Sequence, residues 1–145
     1  MATDRKATTV WEGDLGSGEG TTTLDTTGLA GELPVSWPSR TEDPGGRTSP
    51  EELIAAAHSA CYSMALSGAL AGGGHPPERL ETSAVATFDT SGGPHISGVA
   101  LTVRGRVPGI GDDEFRQAAE AAKDGCPVSQ ALAGNVPITL DASLT

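Results

Sequence analysis

The order of hydrophobic and polar residues predicts nine elements along the chain. Segments rich in threonine and β-branched residues at 7–13 and 21–27 flank a cluster of glycines, which indicates two strands joined by a turn. A third short strand is expected near 33–37, and Pro38 ends it. The following segment, 39–48, has the glycine, proline and charge content of an exposed loop.

A long helix is predicted from Ser49 onwards. Ser49 is a suitable N-cap, Pro50 favours the first helical position, and a glutamate stands three residues after the cap. No proline interrupts the following stretch, which ends in a run of glycines that begins at Gly72. We therefore expect the longest helix of the protein here, with small side chains that let another helix approach closely.

The second half of the chain combines alternating and helical patterns. Val99, Leu101 and Val103 alternate with polar residues, which predicts a strand with one buried face. In chain order we expect a strand at 80–88, its hairpin partner around 99–107, a helix at 111–125, a short helix from 126 to about 133, and a strand at 136–142.

The predicted order is β-β-β-α-β-β-α-α-β, in which strands are grouped and do not alternate one by one with helices. Grouped strands favour an α+β fold with antiparallel or mixed sheets. A doubly wound nucleotide-binding sheet is disfavoured. The 145 residues suit a single domain over 1–145.

Composition excludes several classes of partner. Lys and Arg number 9 against 19 Asp and Glu, for a net charge of −10, so phosphate backbones and anionic bilayers would repel the chain. We therefore expect no nucleic acid or membrane partner. Aromatic residues make up only 3% of the chain, and such a thin core favours burial against a second subunit.

The chain shows no obvious targeting segment. No run approaches the roughly 18 apolar residues that span a bilayer, and residues 1–9 are polar, unlike a secretion signal. A cytoplasmic protein is expected. The two cysteines, Cys61 and Cys126, are too few for a disulfide scaffold, so they are either inert core residues or reactive groups.

Local sequence favours Cys126 as the more acidic thiol. It precedes Pro127 at the start of a short predicted helix, where amide N–H groups stabilise a thiolate. Cys61 lies in the middle of the long helix, where burial raises a thiol pKa unless a cation is brought to it. Two buried and inert cysteines remain the alternative at this point.

Other reactive motifs are absent. The glycine cluster leads into a strand and not into a helix, so it does not form a phosphate-binding loop, and no nucleophilic serine elbow occurs. His58 and Cys61 share a helix face, and Cys126 would add a third ligand, but no fourth zinc ligand is evident. No metal and no cofactor are expected, and His58 is interpreted as a packing or hydrogen-bonding residue.

Several segments together resemble the osmotically inducible and organic-hydroperoxide-resistance (OsmC/Ohr) family. They are Arg40, the run 48–66 (TSPEELIAAAHSACYSMAL), CPVSQAL at 126–132, and the shorter pieces WEG at 11–13, VPGI at 107–110 and ITLD at 138–141. The helix start PEEL, His58 and CPVS are similar to the osmotically inducible branch. The resemblance covers nearly the whole chain and implies an OsmC-like fold in an intertwined homodimer.

The resemblance implies a thiol peroxidase that reduces organic hydroperoxides and hydrogen peroxide. Cys61 would be the peroxidatic cysteine and Cys126 the resolving one, joined as a disulfide during the cycle. Arg40 would activate the thiol and Glu51 would hold the arginine, with Arg47 as the alternative arginine. Electrons would come from an external dithiol, which is a lipoyl protein, thioredoxin or a small thiol.

Helix geometry bears on how Glu51 could serve Cys61. The two residues are ten positions apart on one predicted helix, so about 15 Å separates them along its axis and they point in different directions. A homodimer in which Glu51 of one chain lies beside Cys61 of the other solves this. The alternative is a long Arg40 side chain that bridges part of the gap within one subunit.

Two other functions agree with these residues. One is a redox sensor whose Cys61–Cys126 disulfide changes a surface without turnover. The other is a stress-induced small-molecule binding protein with inert core cysteines.

Overall fold

The computed structural model describes residues 1–145 and has an α+β fold. In chain order its elements are β1 (Thr8–Glu12), β2 (Glu19–Thr23), β3 (Glu32–Val35), α1 (Trp37–Thr41), α2 (Pro50–Gly72), β4 (Arg79–Asp89), β5 (His95–Arg106), α3 (Asp112–Gly125), α4 (Pro127–Leu132) and β6 (Ile138–Leu144). The chain divides into two compact units, Met1–Pro50 and Glu51–Thr145.

The first unit is built on an antiparallel sheet in the order β1-β2-β3. Gly20 lies opposite Trp11 in this sheet, and a Cβ at Gly20 would come within 2.8 Å of the Trp11 ring, so the close approach requires glycine. β2 ends at Thr23, earlier than the sequence predicts. The Thr23 hydroxyl donates to Asp25 at 2.6 Å, and this local hydrogen bond shapes the turn that replaces the end of the predicted strand.

The expectation of an open loop after Pro38 is wrong at its beginning, because α1 occupies Trp37–Thr41. Ser36 caps this helix by accepting from the Ser39 N–H at 3.2 Å, and the Ser39 hydroxyl closes the capping box. Pro38 sits in the first turn, where its missing N–H costs nothing. The proline therefore helps to start a helix here.

α2 confirms the predicted long helix and its start. It is 23 residues long, begins at Pro50 and ends at Gly72. By length and composition alone this helix could cross a membrane. Only 22% of its most apolar 18-residue segment is buried inside the chain. The expectation that no continuous run of about 18 apolar residues occurs still holds, because His58, Ser63 and Ser67 interrupt the apolar residues of this helix.

The second unit contains a mixed sheet in the order β4-β5-β6. β4 and β5 form the predicted antiparallel hairpin, whereas β6 pairs with β5 in parallel. The inward face of β5 and the buried faces of α2 and α3 form the core. Its members are Tyr62, Leu66, Leu70, Val99, Leu101, Val103, Val107, Phe115, Ala119, Ala122, Cys126 and Val136.

Candidate active site

The structure brings the two cysteines together. Cys61 lies near the middle of α2, and Cys126 occupies the junction where α3 ends and α4 begins. Both are thiols, Cys61 packs against the core of which Cys126 is a member, and each thiol acts on the pKa of the other. Two sulfurs in contact, without a bond between them, form a dithiol that is positioned for disulfide formation.

The two thiols differ in exposure. Cys126 is completely buried at 0% exposure, whereas Cys61 is partly exposed at the edge of the same core. A dissolved oxidant can therefore reach Cys61 more readily than Cys126.

The two thiols also differ in acidity. Burial by itself raises the pKa of Cys126, but the Ser129 N–H, the Cys61 thiol, the Ser129 hydroxyl and the Val128 N–H outweigh it and lower that pKa. Burial is the largest effect on Cys61 and raises its pKa; the Val128 N–H opposes this, the interaction with Cys126 adds to it, and the net shift is upward. The first negative charge on the pair is therefore held at Cys126, as the local sequence predicts.

Cys126 does not cap α4 by a short side-chain hydrogen bond. A sulfur atom accepts N–H donors at longer range than oxygen does, so the amides of Val128 and Ser129 still stabilise the thiolate without that geometry. These two N–H groups therefore lower the pKa of Cys126 by stabilising the negative charge of its thiolate.

A buried polar pair stands beside Cys126. His58 Nε2 and Ser129 Oγ are 2.8 Å apart, and both side chains are buried. The expectation that His58 forms a hydrogen bond is confirmed. Sequence reasoning did not single out Ser129, although its position three residues after Cys126 places it at the N3 position of α4, which faces the N-cap.

The two candidate arginines belong to the first unit and have different neighbours. Arg40 lies in the last turn of α1, half-buried, with its guanidinium carbon 5.9 Å from the centre of the Trp37 ring. Arg47 pairs with Glu19 at 2.9 Å on the surface. Arg47 thus forms an ion pair with a carboxylate of β2.

Glu51 lies in the first turn of α2 and is only 6% exposed. Because α2 runs without interruption from Pro50, Glu51 and Cys61 stay about 15 Å apart along the axis of this helix. Within one helix the carboxylate and the thiol therefore do not meet.

The exposed side of α2 has its own features. Met64, one turn after Cys61, is 74% exposed and borders an open groove of about 480 Å³ between α2 and the start of β4. Cys61 does not line this groove. No group of three or more His, Cys, Asp or Glu side chains lies close enough to hold a metal ion.

A long central helix that sets a half-exposed cysteine against a buried one defines the chain as a two-cysteine thiol protein of α+β fold. It belongs to the OsmC-like protein family, whose family model matches residues 43–141. The resemblance is thereby confirmed, and the solved structures described below confirm the OsmC-like α+β fold, whereas the homodimer stays a prediction.

Relatives and solved structures agree with this assignment. The chain is 41% identical over 145 residues to "Peroxiredoxin OsmC" of Escherichia coli (strain K12), covering 99% of each protein. It is 31% identical over 100 residues to the "Organic hydroperoxide resistance protein" of Xanthomonas axonopodis pv. citri (strain 306), covering 66% of this chain and 67% of that one.

Its structure matches the organic hydroperoxide resistance protein from Elizabethkingia anophelis with a TM-score of 0.75 at 25% identity, over 100% of both chains. It matches OhrB of Bacillus subtilis with a TM-score of 0.73 at 25% identity, over 95% of this chain and 98% of that one.

Proposed function

We propose that this protein is a cysteine-based peroxidase that reduces organic hydroperoxides and hydrogen peroxide at the expense of an external dithiol. The observation that carries the proposal is the contact between half-exposed Cys61 and buried Cys126. Its similarity to a peroxiredoxin and to an organic hydroperoxide resistance protein supports the same reaction class.

The cycle has three balanced steps. The Cys61 thiolate attacks the terminal oxygen of the peroxide, the O–O bond breaks, and the alkoxide or hydroxide takes a proton to leave as alcohol or water. The Cys126 thiolate then attacks the Cys61 sulfenic acid, which loses its oxygen as water with one further proton. A dithiol finally reduces the Cys61–Cys126 disulfide and becomes oxidised itself.

Cys61 acts as the peroxidatic cysteine because it is the accessible sulfur. The lower pKa of Cys126 works against a thiolate at Cys61, and the Arg40 guanidinium offsets this at the contact between the two thiols. Proton transfer along that contact moves the negative charge to Cys61. The charge then returns to Cys126 for the second step, in which Cys126 is the attacking group.

Arg40 stabilises the Cys61 thiolate and donates to the departing oxygen, and Glu51 orients its guanidinium. The family resemblance favours Arg40 for this role, and Arg47, which pairs with Glu19 on the surface, stays the alternative. No metal, flavin or haem takes part, and the reductant is a lipoyl protein, thioredoxin or a small thiol in the cytoplasm.

The working unit is a homodimer. α2 is alanine-rich, largely unburied in the single chain, and carries exposed Met64, so a second copy packed against it supplies the missing burial. An antiparallel packing of two copies of α2 puts Glu51 of each chain beside Cys61 of the other, and a two-fold axis makes two equivalent sites.

A peroxide-consumption assay on the purified protein with a dithiol reductant tests the proposal. Sustained turnover is expected with an organic hydroperoxide, and it should depend on both cysteines. A redox sensor would form the disulfide once without turnover, and a binding protein with inert cysteines would resist oxidation. Either of those results would replace the peroxidase assignment.

A further inference from the structure

His58 is a fully buried histidine that the proposed cycle does not use. Its Nε2 lies 2.8 Å from the Ser129 hydroxyl oxygen, while its Nδ1 is buried with no hydrogen-bond partner. A neutral histidine ring carries one N–H hydrogen, on either Nδ1 or Nε2. The tautomer that His58 adopts determines whether it donates a hydrogen bond to Ser129 or accepts one from it.

The hydrogen belongs on Nε2. Burial lowers the pKa of His58, so the ring is neutral and carries one N–H. If that hydrogen sat on Nδ1, a buried donor would have no acceptor, which folded proteins avoid more strictly than an unpaired acceptor. With the hydrogen on Nε2, His58 donates to the oxygen of Ser129.

The Ser129 hydroxyl links His58 to Cys126. The two residues occupy N3 and N-cap of α4, positions whose side chains face each other, and the Ser129 hydroxyl acts as a donor to the Cys126 sulfur. A hydroxyl has only one hydrogen. Because its oxygen accepts from His58, that hydrogen is free to point at the sulfur.

We propose that His58 is a positioning residue whose Nε2–H holds the Ser129 hydroxyl toward the sulfur of Cys126, so that the resolving cysteine is kept ready to attack. The catalytic consequence rests on the proposed peroxidase cycle, whereas the chain of hydrogen bonds does not. No proton leaves His58 in this arrangement.

Other titratable groups also act on this cluster. From α2 these are Cys61, which lowers the pKa of Cys126, and Tyr62, whose hydroxyl interacts with the Cys126 charge. From α3, Glu120 acts on Tyr62. A test must therefore isolate Cys126 and compare variants in one common background.

The test measures the pKa of Cys126 in a Cys61→Ser background, from the ultraviolet absorbance of the thiolate against pH, and needs no peroxide turnover. Ser129→Ala should raise this pKa by about 1 to 2 pH units, because a hydrogen bond to a charged sulfur is lost. His58→Leu should raise it in the same direction. The double variant should match Ser129→Ala alone, since His58 acts only through Ser129.

A conservative variant and a matched control sharpen the result. His58→Gln places an amide N–H near the position of Nε2 and should restore the pKa, which a purely steric role of His58 would not predict. Ser63→Ala removes another partly buried hydroxyl of the second unit, one bonded to Thr82 at 2.8 Å, and should leave the Cys126 pKa unchanged.

Three outcomes overturn the proposal: no change of the pKa in His58→Leu, additive shifts in the double variant, or failure of His58→Gln to restore the pKa. If His58→Leu does not fold, His58→Gln is compared with His58→Asn, whose shorter amide does not reach Ser129. Equal Cys126 pKa values in these two variants would refute the positioning role of His58. In the protein with both cysteines, His58→Leu should slow the attack of Cys126 on a Cys61 sulfenic acid that has already formed, measured as disulfide formation after a single addition of peroxide. Absence of peroxidase activity in the wild-type chain would refute the proposed function but leave the thiolate result standing.

Discussion

Replacing each cysteine by serine should produce opposite defects, because the two sulfurs differ in access. Cys126 is 0% exposed, whereas Cys61 is partly exposed. A peroxide therefore meets Cys61, and Cys61→Ser should abolish peroxide reduction. Cys126→Ser keeps the reactive sulfur but removes the thiol that attacks the sulfenic acid.

The size of the effect follows from the number of accessible sulfurs. Each chain has one half-exposed thiol, so Cys126→Ser should consume about one equivalent of peroxide and then stop or over-oxidise. Cys61→Ser should consume none, since its remaining thiol is buried. The wild-type chain should continue until the dithiol is exhausted.

The assay has two arms: excess peroxide with a dithiol, in which peroxide loss is counted, and one equivalent of peroxide added to fully reduced protein without a reductant, in which the mass of the protein is measured. Cys126→Ser should gain one oxygen atom that a sulfenic-acid trap captures, and wild type should instead lose two hydrogens as the disulfide forms. Far-ultraviolet circular dichroism of both variants checks that the fold is retained.

The reverse pattern would refute the assignment of roles. If Cys126→Ser fails in its first turnover while Cys61→Ser completes one, the lower pKa of Cys126 decides reactivity and exposure does not. Equal single turnovers in both variants would mean that either sulfur reaches the peroxide, and access could then not be the basis of the assignment.

Further predictions concern the arginines, the dimer and the core. Arg40→Ala should slow alkylation of Cys61 at neutral pH about tenfold, because loss of a nearby cation raises a thiol pKa, whereas Arg47→Ala should have little effect; a larger effect at Arg47 would exchange their roles. Refolding a mixture of Glu51→Ala and Cys61→Ser chains should restore about one functional site in each heterodimer, and verified heterodimers without activity would contradict shared sites. Tyr62→Phe should lower the free energy of unfolding by about 1 kcal/mol in a denaturant titration, because its hydroxyl donates a buried hydrogen bond to a carbonyl of α3 at 2.9 Å; unchanged stability would mean that this bond contributes nothing net.

Elements with strong local signals were predictable from the sequence. The start of α2 depends on Ser49 and Pro50, which act within one helical turn, and the hairpin of β4 and β5 follows from alternation along each strand. The sequence did not predict α1, because five residues are too few to show a helical periodicity. Its one local signal was the spacing of Ser36 and Ser39, which form the capping box.

The pairing of strands was less predictable. Alternation identified β6 as a strand but carries no information on direction, and β6 pairs with β5 in parallel. The direction depends on how α3 and α4 return the chain to the edge of the sheet. A mixed sheet was therefore one of two expectations, and the structure decides between them.

Local physics also predicted the acidity of Cys126, because three of the four interactions that lower its pKa come from Val128 and Ser129, within three residues of it, and only the fourth comes from Cys61. The functional candidates Arg40 and Glu51 came only from the family resemblance. A loop arginine and a glutamate in a first helical turn are common without any catalytic role.

By itself, the sequence determined the features that depend on near neighbours: the length and start of α2, the buried face of β5, and the donors around Cys126. Only the tertiary structure decided that Cys61 contacts Cys126, that Cys126 is the buried member of the pair, and that His58 meets Ser129 across 71 positions of sequence. The reason is that caps and periodic patterns arise from contacts within one or two turns, whereas the meeting of α2 with α4 depends on how the whole core packs, and no local pattern encodes that packing.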